Sequence, residues 1–144
     1  MDRFELFTSS ITKISKYIHR IEVEEMGKLN LRSQHVSCLY YLYTYGKLTS
    51  KEIVKISLED KGQVSRTLDY LETNGYVSCD SDAKKRYNAY FSLTEKGMAY
   101  GEEVANKINR FLSIVSKGMS DEDRATMYKA LKIIVDNIEN ETKE

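Results

Sequence analysis

The sequence predicts a mainly α-helical chain with one small antiparallel β hairpin, and three observations predict it. Apolar residues at Phe4, Phe7, Ile11, Ile14, Ile18 and Ile21 recur at spacings of three and four, the period of a long amphipathic helix. From Tyr87 to Leu93 the period drops to two, with Tyr87, Ala89, Phe91 and Leu93 on one face and Asn88, Tyr90 and Ser92 on the other. The 144 residues contain no proline, which favours long unbroken helices.

Taken in order, the Phe4 to Ile21 stripe is heptad-like and calls for another helix to cover it. Gly27-Lys28-Leu29-Asn30 reads as a break, with Asn30 as a cap for the next helix. That helix crowds Tyr40, Tyr41, Tyr43 and Tyr45 into its second half, either to pack an interface or to line a pocket. Thr49 with Glu52 reads as a capping box, so a helix starts there and buries Ile53, Val54 and Ile56. Ser57-Leu58-Glu59 is the turn. Asp60 with Gln63 repeats the signature, so a second helix runs from Lys61 to Asn74-Gly75, where glycine takes the left-handed stop.

At 100° per residue that second helix buries Val64, Leu68 and Leu71 and presents Gln63, Arg66 and Tyr70, flanked by Gly62, Ser65 and Asp69. Arg66 can pair with guanine and Gln63 with adenine in a major groove, while Lys61, Ser65 and the helix N-terminus suit phosphate. The alternative is an ordinary amphipathic helix with a solvated polar face. Beyond Gly75 the chain forms a hairpin, Tyr76 to Asp80 and Tyr87 to Leu93, whose tip holds Lys84-Lys85-Arg86, the chain's one run of three basic residues. Helix, turn, helix and basic hairpin make a winged helix-turn-helix.

After the hairpin, Val104, Ile108, Phe111 and Val115 repeat the helical spacing, widened by Ala105, Leu112 and Met119. Lys117-Gly118 ends that helix. Ser120, followed by Asp121, Glu122 and Asp123, caps a last one, whose buried side is Met127, Ala130, Leu131, Ile134, Val135 and Ile138. The organisation is therefore 1–28 as an N-terminal dimerisation helix, 29–97 as the winged helix-turn-helix and 98–144 as C-terminal dimerisation helices, within one compact domain. An intramolecular three-helix bundle is the alternative, and it would leave part of these stripes exposed.

The run Asp60 to Arg66, then Leu68-Asp69-Tyr70-Leu71-Glu72, Gly75-Tyr76-Val77, the acids Asp80 and Asp82, Arg86 and Leu93-Thr94-Glu95-Lys96-Gly97 resembles the MarR family of bacterial transcriptional regulators over nearly the whole chain. The resemblance implies a homodimer that reads double-stranded DNA, a helix matching Lys61 to Asn74 in the major groove and a wing arginine in the minor groove. Asp82 and Arg86 stand further apart than the family's wing usually places its acid and arginine, which leaves open which of Lys84, Lys85 and Arg86 reaches the groove. It also implies a small aromatic effector held beside the tyrosine-rich helix. The expected function is a ligand-responsive repressor on a pseudo-palindromic operator, with Lys61, Gln63, Ser65, Arg66, Tyr70, Lys84, Lys85 and Arg86 on DNA. The alternative is a winged helix used for protein contact, which zero net charge and Tyr70 on the reading face keep open.

Other chemistry finds little footing. MDRFELF lacks the apolar run of a signal peptide, no stretch approaches a membrane span, and two cysteines make no disulfide framework, so a cytoplasmic protein is expected. His35 and Cys38 are one helical turn apart, yet a metal site needs further ligands and the other histidine is His19, so neither metal nor cofactor is expected. Cys38 reads as core and not as a redox sensor. No phosphate-cradling loop, nucleophile elbow or HExxH helix is present, which argues against an enzyme.

Overall fold

The computed structural model describes residues 2–29, 31–57, 59–80 and 88–143, with backbone alone for 25–29. The elements run α1 Arg3–Leu29, α2 Ser33–Tyr45, β1 Lys47–Thr49, α3 Ser50–Ile56, α4 Lys61–Thr73, β2 Val77–Cys79, β3 Tyr90–Leu93, α5 Glu95–Val115 and α6 Asp121–Thr142. The chain divides into two compact units, Met1–Lys107 and Ile108–Glu144.

The first unit is organised around a small core. Leu39 and Leu42 of α2, Leu68 and Leu71 of α4 and Val104 of α5 are its largest fully buried side chains, joined by Phe91 of β3. Truncating one of these leucines to alanine removes its contacts and leaves a cavity, a cost of about 2–5 kcal/mol. α5 is drawn onto α2 at Gly101, where an added Cβ would lie 3.0 Å from the Tyr43 Cβ. In the second unit the end of α5 turns at Gly118, whose φ is +87°, into α6. Ser120 caps α6 as expected: its hydroxyl accepts from the Asp123 N–H at 3.0 Å and its own N–H donates back to the Asp123 carboxylate at 3.3 Å. Yet α6 buries no residue: Leu131, Val135 and Ile138 face solvent, as do Phe4, Phe7, Ile11, Ile14 and Ile18 on α1.

Three local expectations need correction. α1 continues through Gly27 to Leu29, because one glycine costs a helix only about 1 kcal/mol. Asn30 lies outside the described residues, and the start of α2 is held instead by His35, whose Nδ1 accepts the Arg32 N–H at 2.9 Å. Ile56 is 39 % exposed at the end of α3, leaving Ile53 as that helix's buried anchor. The sheet also has three strands and not two: β1 pairs with β3 in antiparallel register Leu48↔Phe91, so the order is β1-β3-β2 with β3 in the middle.

Candidate nucleic-acid interface

The helix pair is set by its caps. The Thr49 hydroxyl accepts the Glu52 N–H at 3.1 Å, and the Asp60 carboxylate accepts the Gln63 N–H at 2.7 Å, each satisfying a donor that the first turn leaves open. Neither pair closes the full reciprocal box. The Glu52 carboxylate meets the Thr49 hydroxyl at 3.2 Å, and the Gln63 amide turns along the helix to Arg66. α4 then buries Val64, Thr67, Leu68 and Leu71 against the core and stops at Gly75, whose φ is +80°. Lys61, Gly62, Ser65, Arg66, Asp69 and Tyr70 are exposed and Gln63 half-exposed, so the expected reading face is the outward face.

Two side-chain arrangements on that face were not predicted. Arg66 Nη2 donates to Gln63 Oε1 at 3.0 Å, and the guanidinium lies over Gly62, where an added Cβ would sit 3.3 Å from Arg66 Nη1. The glycine thus gives the arginine room to fold toward the helix N-terminus. Tyr70 stacks on His35 of α2, ring centroids 4.3 Å apart and planes 21° from parallel, which ties α4 to α2. Burial and the Arg32 charge push the His35 pKa below its ordinary value, and the bond to Nδ1 also favours the neutral ring. His35 therefore serves as a structural residue. Cys38 is buried, its thiol pushed up to about 12 by desolvation, and among the described residues no three groups could hold a metal.

Beyond α4 the chain is clamped. Lys96 Nζ donates to the Asn74 carbonyl at 2.9 Å and lies 4.3 Å from the centroid of the Tyr76 ring. The Thr94 hydroxyl accepts the Gly97 N–H at 3.1 Å, and the Thr94 N–H donates to the Tyr76 carbonyl at 3.1 Å. Gly97 itself lets that carbonyl approach, since a Cβ there would fall 1.9 Å from it. The Leu93 to Gly97 run thus fixes the exit of α4 to the start of α5, with β2 and β3 leaving from the same place. Lys84, Lys85 and Arg86 lie outside the described residues.

Residues 29–86 match the model of the MarR family. The HTH-type transcriptional regulator YwoH of Bacillus subtilis is 30 % identical over 114 residues, covering 79 % of this chain and 82 % of that one. The chain belongs to the MarR family. A second relative, the HTH-type regulator YkoM of Bacillus subtilis, is 26 % identical over 90 % of this chain and 84 % of its own. Among solved structures, Staphylococcus aureus MepR in its DNA-binding conformation superposes with a TM-score of 0.83 at 19 % identity, over 92 % of this chain and 98 % of that one. A MarR-family regulator of Listeria monocytogenes solved with a 26mer DNA gives 0.80 at 22 % identity, over 93 % and 89 %. A MarR-family chain is a transcriptional regulator and not an enzyme. No helix among the described residues is long and apolar enough to cross a membrane.

Proposed function

We propose that the chain binds a pseudo-palindromic operator in double-stranded DNA as a homodimer, represses the genes beside it and leaves it when a small molecule binds. The reading rests above all on α4, whose inner face buries Val64, Thr67, Leu68 and Leu71 while its outer face holds Arg66 and Gln63 beside a capped N-terminus. An inserted helix needs that division: a rigid back, and a front that can reach base edges. Because the Gln63 oxygen is occupied by Arg66, the pair offers donors outward, which matches guanine O6 and N7 better than a separate glutamine reading of adenine. Lys61 and Ser65 at the start of α4 suit phosphate, Tyr70 flanks the reading stripe, and Lys84, Lys85 and Arg86 supply wing charge.

The homodimer is supported by the apolar residues that each unit leaves uncovered, from Phe4 to Ile18 on α1 and from Leu131 to Ile138 on α6. A second copy would bury them. Two α4 helices related by a two-fold axis would then enter successive major grooves about 10 base pairs apart. A chain working on genomic DNA belongs in the cytoplasm.

The test is selection of bound fragments from the host's genomic DNA, followed by salt titration on a recovered fragment and a scrambled one. Arg66→Ala is expected to cost about 1–3 kcal/mol on the recovered fragment and to flatten the preference between the two. Neutralising Lys84, Lys85 and Arg86 should weaken both evenly and reduce the salt slope. If a folded Arg66→Ala dimer kept both affinities, α4 would not read DNA, and a protein-docking role for the winged helix would replace this reading.

A further inference from the structure

Behind the reading face the first unit holds a cavity of about 320 Å³, walled by α1, α2, α3 and α4. Its buried end is formed by Cys38, Ile53, Val64 and Thr67, and its open end by His19, Glu22, Tyr41 and Glu59. Two features of this lining are chemically incomplete.

The first is charge. Two carboxylates face the cavity and, among the described residues that line it, no lysine or arginine does. Burial raises the Glu22 pKa, opposed by His19 and by a hydrogen bond from Ser37, both also in the lining, so the net effect of the site on this carboxylate is desolvation. The Tyr41 phenol lines the same cavity as both acids, and it is pushed up by burial first and then by Glu22, with smaller effects from Cys38, Tyr45 and Glu59. Two carboxylates and an aromatic ring lining one cavity suit an ammonium group, since a ring's electron-rich face can add to the carboxylates' attraction.

The second is a hydroxyl. Thr67 is only 4 % exposed, lines the cavity, and its Oγ1 has no hydrogen-bond partner among the described residues. Such a group usually finds one, because leaving it unsatisfied costs about 1–3 kcal/mol. It sits on α4 next to Arg66, on the side opposite the reading face.

We infer that this cavity binds a small organic cation, a protonated amine whose charge lies between Glu22 and Glu59 and whose apolar body and second hydrogen-bonding group reach Ile53, Val64 and Thr67. The ligand then touches the recognition helix from behind, and its use as a release signal rests on the ligand-responsive reading above. The family resemblance suggests only a small aromatic effector; the lining adds that it carries positive charge.

Isothermal titration of the full chain with three matched phenols separates the terms: tyramine carries an amine, tyrosol a neutral alcohol and 4-hydroxyphenylacetate a carboxylate. Tyramine should bind about tenfold or more tightly than tyrosol, as a charged hydrogen bond adds to the neutral contacts, and 4-hydroxyphenylacetate should not saturate. Replacing both Glu22→Gln and Glu59→Gln should erase the preference for tyramine over tyrosol. Thr67→Val removes an orphan hydroxyl, so the variant should fold at least as well, bind tyramine several-fold more weakly and bind phenethylamine, which lacks the phenol, unchanged. Binding of 4-hydroxyphenylacetate as tight as that of tyramine, amine binding indifferent to the double replacement, or no heat with either amine at millimolar concentration would overturn the assignment. The same probes added to the DNA complex keep the two ideas apart. Tyramine that binds without releasing DNA supports the cavity assignment and removes the ligand-responsive reading, whereas release by the carboxylate alone does the reverse.

Discussion

Gly97→Ala should destabilise the fold although it places a better helix former in α5. The favourable part is small: alanine gains about 1 kcal/mol over glycine inside a helix. Against it, the new Cβ would lie 1.9 Å from the Tyr76 carbonyl oxygen and 2.9 Å from its carbon, so the backbone of Tyr76 must retreat by more than an ångström. The retreat stretches the bond that this carbonyl accepts from the Thr94 N–H, worth about 1 kcal/mol, and forces an overpacked junction, a further 1–3 kcal/mol or so. The net expectation is a loss of about 2 kcal/mol, read as a fall of roughly 1 M in the urea midpoint at unchanged slope. Gly62→Ala is the control. Its Cβ meets only side-chain ends, the Arg66 guanidinium at 3.3 Å and the Asp60 carboxylate at 3.4 Å, so stability should hold or rise slightly while DNA preference falls, because the guanidinium loses its seat. A Gly97→Ala chain as stable as its parent would refute the idea that the Leu93 to Gly97 run is a clamp requiring close backbone approach.

The other expectations are simpler to check. At about pH 8 the Cys38 thiol, pushed up to about 12, is ionised in roughly one molecule in ten thousand, so iodoacetamide should label the half-exposed Cys79 in the native protein and Cys38 only after unfolding, as peptide mass analysis would show. His35 has a folded pKa below its unfolded value of 6.5, so between those values the unfolded chain binds more protons and stability must fall on acidification through that window. Urea midpoints between about pH 7.5 and 5.5 should therefore drop less in His35→Gln than in the parent, and equal drops would place the proton elsewhere. Light scattering should give a dimer mass at micromolar concentration, with a melting temperature that rises with concentration; a monomer mass would leave the exposed faces of α1 and α6 unexplained.

What the sequence revealed and concealed divides by the range of the interaction. α4 was legible because Asp60, Val64, Leu68, Leu71 and Gly75 act within a few residues of one another, through a cap, a 3.6-residue period and a left-handed stop. β1 was hidden because three residues carry no period and exist as a strand only through pairing with Ser92, Phe91 and Tyr90. Gln63 was read as closing a capping box, a use that competes with the bond to Arg66, and spacing alone does not choose between them. The Tyr70–His35 stack and the orphaned Thr67 hydroxyl depend on how α2 and α3 pack against α4, which no local pattern encodes.

The position of β3 at the centre of the sheet has a further consequence. Held by β1 on one edge and β2 on the other, it keeps its register whatever joins it to β2. The stretch 81–87, with its three basic residues, is thus an exchangeable cassette on a frame fixed elsewhere. Insertions, deletions or a graft from another family member there should alter the strength of DNA binding and its salt slope while the melting temperature stays put, which lets mutation tune affinity without touching the fold.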